Sequence, residues 1–322
     1  MMTKLGIAAL LCLGAIGGRS TGAQSQPPAP LPSPLESMVD AERRFAASAS
    51  EVGWKDAFLE FFADGAVGFA EGAAGFAKDQ IRARPDPPNG HQLLWEPRWG
   101  DISASGELGY LTGPSRSILP GRNGGRPDHS VYTSVWKRER DGRFKVVMDV
   151  GVPVPGPAPF AAGFTRAPHD HRFSGDYEER MPPLAAADGV LNSDLRTGQA
   201  RAFRGRLAPD ARLHRPGRLP LVGEARILAF LATQPTAVAV DTRSSESSRA
   251  GDLGYTWGTY IVRGGTTAGR GRAGGRGAGA TAVGGGRSPL SNAGVEEGFY
   301  VRLWVRERGG QWRVALDVLQ PQ

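Results

Sequence analysis

The chain has 322 residues, 40% of them hydrophobic, with 46 glycines, 25 prolines and a formal charge of +7. That length accommodates two domains of ordinary size, and the single cysteine, Cys12, excludes an internal disulfide. Arginine supplies most of the positive charge, and Lys4 and Arg19 fall in a leader-like segment, so the mild basicity that remains does not argue for a nucleic-acid partner.

Residues 1–23 read as a secretory signal peptide: Lys4, an apolar run from Leu5 to Gly18, and the small residues Thr21 and Ala23 ahead of Gln24. This predicts export, to the periplasm or beyond the cell. The run is short for a bilayer span, and no transmembrane segment is expected in the mature chain. Leu11 stands where a lipoprotein signal needs a small residue, which argues against lipid attachment at Cys12. Residues 24–34 form a proline-rich spacer.

A first domain is predicted over 35–155. Leu35, Met38, Val39, Phe45 and Ala49 share one face of a helix, and Trp54, Ala57, Phe58 and Phe61 share one face of a second. Segments 93–102, 106–118, 130–140 and 143–150 alternate as strands, with Asp141-Gly142 as a turn signal. Residues 156–182 read as a linker. The plan then repeats over 183–322: Leu184, Ala187, Leu191 and Leu195 form a helical stripe, echoed by Ala202, Phe203 and Leu207.

The repetition extends to sequence. Gly106-Glu107-Leu108-Gly109-Tyr110 returns as Gly251-Asp252-Leu253-Gly254-Tyr255, and residues 132–150 return as 300–318. A period of about 150 residues fits a duplicated domain and is too long for a solenoid repeat. The second copy carries a Gly/Arg-rich insertion over 264–286, expected to be disordered and dispensable. Its composition is that of RNA-binding tracts, but it lacks interleaved aromatics, so no nucleic-acid binding is expected. Helices followed by an antiparallel meander give an α+β class.

Several of these residues carry a family resemblance. Asp40-Ala41-Glu42-Arg43-Arg44-Phe45, Gly53-Trp54-Lys55-Asp56-Ala57-Phe58-Leu59, Leu94-Trp95-Glu96-Pro97, the Gly106–Tyr110 motif, Trp136-Lys137-Arg138 and the final strand to Asp149 resemble the nuclear transport factor 2-like superfamily, in its SnoaL-like branch of domain of unknown function 4440 type. The resemblance implies two tandem cone-shaped domains, each a curved antiparallel sheet wrapped over N-terminal helices around an apolar cavity. The second copy has Val240 and Ser244 where the first has Trp95 and Trp99, so its pocket must differ. The superfamily holds isomerases, cyclases, dehydratases and members without catalysis, so fold alone leaves function open.

Glu42 lies on the apolar stripe of the first helix, and Asp188 repeats it. A carboxyl facing an apolar cavity is a usable proton acceptor, while the structural reading pairs it with an arginine or with backbone amides. Tyr110 and Tyr255 share a strand face with Leu108 and Leu253, as donors in a cavity or as core aromatics. Trp54, Phe58, Trp95, Trp99 and Tyr110 are the candidate ligand-lining residues. Asp149 and Asp317 are expected to point away from the core, because Val146, Met148 and Val150 alternate opposite them. His169-Asp170-His171 has a chelating spacing but no third ligand, and neither metal nor cofactor is expected. Tyr132, Trp136, Tyr300 and Trp304 are expected to join the two sheets in an intramolecular pseudo-dimer. Three functions remain open: binding of a small hydrophobic molecule in the first domain; a cofactor-free isomerase, dehydratase or cyclase with Glu42 as base and Tyr110 as donor; and a structural envelope module.

Overall fold

Helix α1 (Pro34–Glu51) opens the fold in a computed structural model that describes residues 32–70, 73–169, 182–234, 237–263 and 295–322. The leader at 1–23, the insertion at 264–286 and the residues Asp170 and His171 lie outside the described residues. Ser33 caps α1 with a reciprocal pair of bonds: its Oγ accepts from the Glu36 amide at 3.2 Å, and the Glu36 carboxylate accepts from the Ser33 amide at 2.7 Å. The buried stripe of α1 comprises Met38, Val39, Ala41, Glu42, Phe45 and Ala49. Helix α2 (Trp54–Phe61) packs beside it and buries Trp54, Ala57 and Phe58.

Strands β1 (Phe62–Ala70) and β2 (Ala73–Phe76), helix α3 (Ala77–Ala83), and strands β3 (Gln92–Trp95), β4 (Trp99–Ile102), β5 (Leu108–Ile118), β6 (Asp128–Arg138), β7 (Phe144–Val154) and β8 (Thr165–Arg166) complete the first half. The second half runs α4 (Leu184–Leu195), α5 (Gln199–Phe203), β9 (Leu207–His214), β10 (Leu221–Val222), α6 (Glu224–Leu231), β11 (Val238–Ser247), β12 (Leu253–Arg263), β13 (Val295–Arg306) and β14 (Trp312–Pro321). Among the described residues the strand orders are β2-β1-β7-β6-β5-β4-β8, with β3 also on β5, and β10-β9-β14-β13-β12-β11. The second sheet repeats the order of the first, with β11 in the place of β3 and β4 and no counterpart of β8 among the described residues.

The class is α+β, but the sheets are mixed. β1 runs parallel to β7, and β9 runs parallel to β14. Neither β1 nor α3 is anticipated by the sequence pattern. The stretch Phe62 to Ala70 is rich in glycine and alanine, and a parallel partner far along the chain leaves no local turn signal.

Two bulges decide which side chains face the helices. In β7, Met148 pairs with Val135 while Val146 pairs with Trp136, leaving Val147 as an extra residue. In β14, Leu316 pairs with Leu303 while Val314 pairs with Trp304, leaving Ala315. One extra residue reverses the alternation beyond it, so Asp149 and Asp317 face inward with Ser134 and Arg302. This overturns the outward facing read from simple alternation. The inward face of β6 and β13 likewise carries Trp136 and Tyr300: the Trp136 indole reaches Glu42 of α1, and the Tyr300 hydroxyl reaches Asp188 of α4. Tyr132, Trp136, Tyr300 and Trp304 therefore do not join the sheets.

The outward faces meet instead. Tyr110, Val135, Met148, Val150 and Val152 share one apolar cluster with Val301, Leu303, Leu316 and Val318. Phe69 packs on Phe299 and Trp257 at ring-centroid distances of 4.8 and 5.6 Å. Two equivalent turns exchange bonds: the Ala104 amide donates to Asp252 at 2.7 Å, and the Arg249 amide donates to Glu107 at 2.6 Å. Ala104 corresponds to Arg249, and Glu107 to Asp252, so the exchange is reciprocal, the pattern of an isologous contact. The interior of the first half is a separate cluster, containing Phe45, Trp54, Phe58, Ile81, Leu111 and Trp136.

Candidate functional site

Glu42 sits at the centre of the first-half interior and is completely buried. Its Oε1 accepts from Trp95 Nε1 at 2.6 Å, and its Oε2 accepts from Ser134 Oγ at 2.6 Å and Trp136 Nε1 at 2.8 Å. All three donors are neutral. Burial raises its pKa, and the three hydrogen bonds oppose that rise in part.

Asp149 shares the inward face with Ser134, its partner across β6 and β7. Burial of the carboxyl, and then the charge of Glu42, push its pKa well up. The residue nonetheless keeps partial solvent access, and among the described residues no hydrogen bond reaches its carboxylate. Tyr132 lies two residues from Ser134 on the same face of β6, 5% exposed, and its hydroxyl has no hydrogen-bond partner among the described residues. Its cross-strand neighbours are both glycines, Gly113 and Gly151, so no side chain crowds it from either adjoining strand. Burial raises this phenol's pKa well above the usual value, and Glu42 and Asp149 add to the effect.

The second half answers the same geometry differently. Asp188 occupies the place of Glu42, Arg302 that of Ser134, Asp317 that of Asp149 and Tyr300 that of Tyr132. Arg302 donates to Asp188 and to Asp317, both at 2.7 Å, and Arg215 also bonds Asp317, at 2.5 Å. The two guanidinium groups outweigh burial and hold Asp317 below the usual carboxylate range, opposite to the shift at Asp149. Tyr300 donates to Asp188 at 2.8 Å. The second-half cluster is internally paired, whereas the first half presents two carboxyls that no cation bonds among the described residues.

Of the residues singled out from sequence, Glu42, Trp54, Phe58 and Trp95 come together. The Phe58 ring lies 5.8 Å from that of Trp54 and 5.9 Å from that of Trp95. Trp54 Nε1 is buried with no hydrogen-bond partner among the described residues. Tyr110 and Trp99 are not in this group. Tyr110 pairs with Val135 on the outward face, its hydroxyl 3.3 Å from His169 Nε2, and Trp99 packs on it at 5.5 Å. Trp95 and Trp99 part company because Trp95 opposes Ser115 and Trp99 opposes Thr112, so four residues stand against three. A Glu42–Tyr110 acid–base pair is thereby excluded, since the sheet lies between them. Tyr255 also faces outward, paired with Leu303 and donating to Glu246 at 2.9 Å, while Asp188 lies inside.

The residues missed from sequence are Tyr132 and Ser134. Their signal was the hairpin repeat itself, in which Ser134 aligns with Arg302 between matching Tyr and Trp residues. A serine for an arginine between two acids that match in both copies gives the inward clusters of the two halves different charge.

No family model matches the chain, and no curated protein matches it either. Solved structures do resemble part of it. An NTF2-like protein of unknown function from Shewanella oneidensis is 15% identical, covering 37% of this chain and 98% of its own, with a TM-score of 0.30. A conserved protein from Planctomyces limnophilus is 16% identical, covering 43% and 94%, with a TM-score of 0.30. A domain of unknown function with a cystatin-like fold from Nostoc punctiforme is 17% identical, covering 36% and 75%, with a TM-score of 0.30. The structure is similar to NTF2-like proteins. The likeness concerns fold over part of the chain and assigns no activity. No helix among the described residues is long and apolar enough to cross a membrane, which leaves strands unaddressed.

Proposed function

We propose that the first half binds a small, mainly apolar molecule carrying a polar group, with Asp149 and Tyr132 as polar anchors and Trp54, Phe58 and Trp95 as the apolar wall. The observation that carries this reading is the contrast between copies: Asp149 and Tyr132 lack partners among the described residues, while Asp317 and Tyr300 at the same positions are bonded. A buried polar group without a partner costs about 1–3 kcal/mol, which a ligand that bonds it returns as affinity. Asp149 is also only partly buried as a residue, unlike Glu42 and Asp317. Tryptophan fluorescence of the whole chain, titrated with a panel of small apolar molecules, tests the reading. Binding that weakens in Asp149→Ala and Tyr132→Phe is expected, and an unresponsive signal across the panel counts against it.

A second reading is acid–base catalysis without a cofactor, favoured by the raised pKa values of the neighbouring Glu42 and Asp149. Asp149 is then the proton-exchanging group and Glu42 the fixed one, since three donors hold it. We also propose that residues 1–23 direct export and that the halves act as a pseudo-dimer, the latter supported by the reciprocal Ala104–Asp252 and Arg249–Glu107 bonds. A mature N-terminus other than Gln24, read by mass spectrometry of the native protein, is the result that removes the export reading.

A further inference from the structure

The second half contains its own template for what the first half lacks. The Arg302 guanidinium lies between two carboxylates, donating through one nitrogen to Asp188 at 2.7 Å and to Asn192 at 2.5 Å, and through Nε to Asp317 at 2.7 Å. It also lies over the Tyr300 ring at 4.4 Å and beside Phe203 at 5.9 Å. Every charged or aromatic member of that shell has a counterpart in the first half: Glu42 for Asp188, Asp149 for Asp317, Tyr132 for Tyr300 and Phe58 for Phe203. The Arg302 guanidinium is replaced, by Ser134, and no counterpart of Arg215, which also bonds Asp317, reaches Asp149 among the described residues. Two neighbouring positions are smaller as well, Gly151 for Leu319 and Ala46 for Asn192.

Ser134 does not neutralise what Arg302 neutralises. Its hydroxyl donates one bond to Glu42 and leaves Asp149 unbonded among the described residues. Tyr132, 95% buried by its 5% exposure and unpartnered at its hydroxyl, stands on the same inward face. A planar cation suits such a place because its forked N–H groups can serve two carboxylates at once while its face lies on an aromatic ring. The indoles and Phe58 beyond it suit an apolar body.

We propose that the first-half site takes a planar organic cation, an amidinium or guanidinium with an apolar substituent, seated between Glu42 and Asp149 as Arg302 is seated between Asp188 and Asp317. The inference rests on the binding reading above and narrows its ligand class. Trp95 already donates to Glu42 Oε1 at 2.6 Å, so the charged head is placed toward Asp149 and Tyr132, whose polar groups are unbonded among the described residues.

The test compares benzamidinium with benzamide, its neutral counterpart of the same size, by calorimetry on the full chain, with Ser134→Arg and Asp149→Asn as variants. Benzamidinium should bind about tenfold tighter than benzamide or better. Ser134→Arg should abolish benzamidinium binding at an unchanged or higher melting temperature, because the new side chain supplies the cation from within. If benzamide binds as tightly as benzamidinium, the cation class is overturned while the pocket stands. If neither binds and neither alters the tryptophan fluorescence, this proposal is overturned, and a silent wider panel would then remove the pocket too. Should Ser134→Arg fail to fold, Asp149→Asn decides: a fall in benzamidinium affinity supports the proposal, and an unchanged affinity overturns it.

Discussion

Asp149 and Asp317 show how one residue type at one strand position acquires opposite chemistry. Burial acts on both, but two arginines flank Asp317 whereas the charge that acts on Asp149 is another carboxylate, Glu42. The signs of their pH effects follow. With its pKa raised in the folded state, Asp149 contributes stability that is present below the ordinary value of 3.8 and is lost as the pH rises through the elevated folded value. Asp317, with its pKa depressed, contributes stability that is present above 3.8 and is lost as the pH falls through the lowered value. Asp149→Asn should therefore gain about 1 kcal/mol at pH above that upper window and nothing below pH 3.8, while Asp317→Asn should lose about 3–5 kcal/mol at neutral pH by leaving Arg302 and Arg215 short of a counter-charge. Urea unfolding across the pH range measures both, and parallel profiles for the two variants would contradict the assignment of charges.

At the scale of elements, the bulges at Val147 and Ala315 and the step between Trp95 and Trp99 are the devices that sort side chains into inward and outward sets. A regular strand with the same residues would turn Asp149 into the apolar layer between the sheets. The helix stripe of α1 was legible from residue spacing, Glu42 included, because all positions of a helix face lie within one continuous segment. The β12–β13 connection makes a separate prediction. Arg263 pairs with Val295, so the two strand ends are direct neighbours. A two-residue Asn-Gly turn in place of residues 264–294 can close them, and loop length adds only about 0.6 kcal/mol per doubling. Circular-dichroism melting of that variant should fall within a few degrees of the parent; loss of the second-half sheet would show that the replaced segment contributes to folding.

For the whole molecule, the apolar layer between the sheets makes each half dependent on the other. Tyr110, Val135 and Val150 on one side and Val301, Leu303 and Leu316 on the other are all nearly completely buried. Exposing such a face invites self-association. Residues 32–169 and 182–322 expressed separately should aggregate or pair with themselves, and co-expression should give a one-to-one complex on size-exclusion chromatography. Two soluble monomers that do not recombine would mean that the layer contributes little. Phe69→Ala offers a gentler probe, costing about 3–5 kcal/mol through loss of its packing on Phe299 and Trp257.

The sequence alone determined the repeated plan, the α+β class and the buried stripe carrying Glu42, because each is a local or aligned property of the chain. Only the tertiary structure decided that Tyr110 and Trp99 face the other half, that Asp149 faces Glu42, and that Tyr132 and Trp136 look inward rather than join the sheets. Strand alternation has a period of two, so one extra residue inverts it, and an extra residue is recognisable only against the partner strand it fails to match. The parallel pairing of β1 with β7 is hidden for a related reason: its partners are separated by most of the domain, and no short-range pattern encodes the meeting.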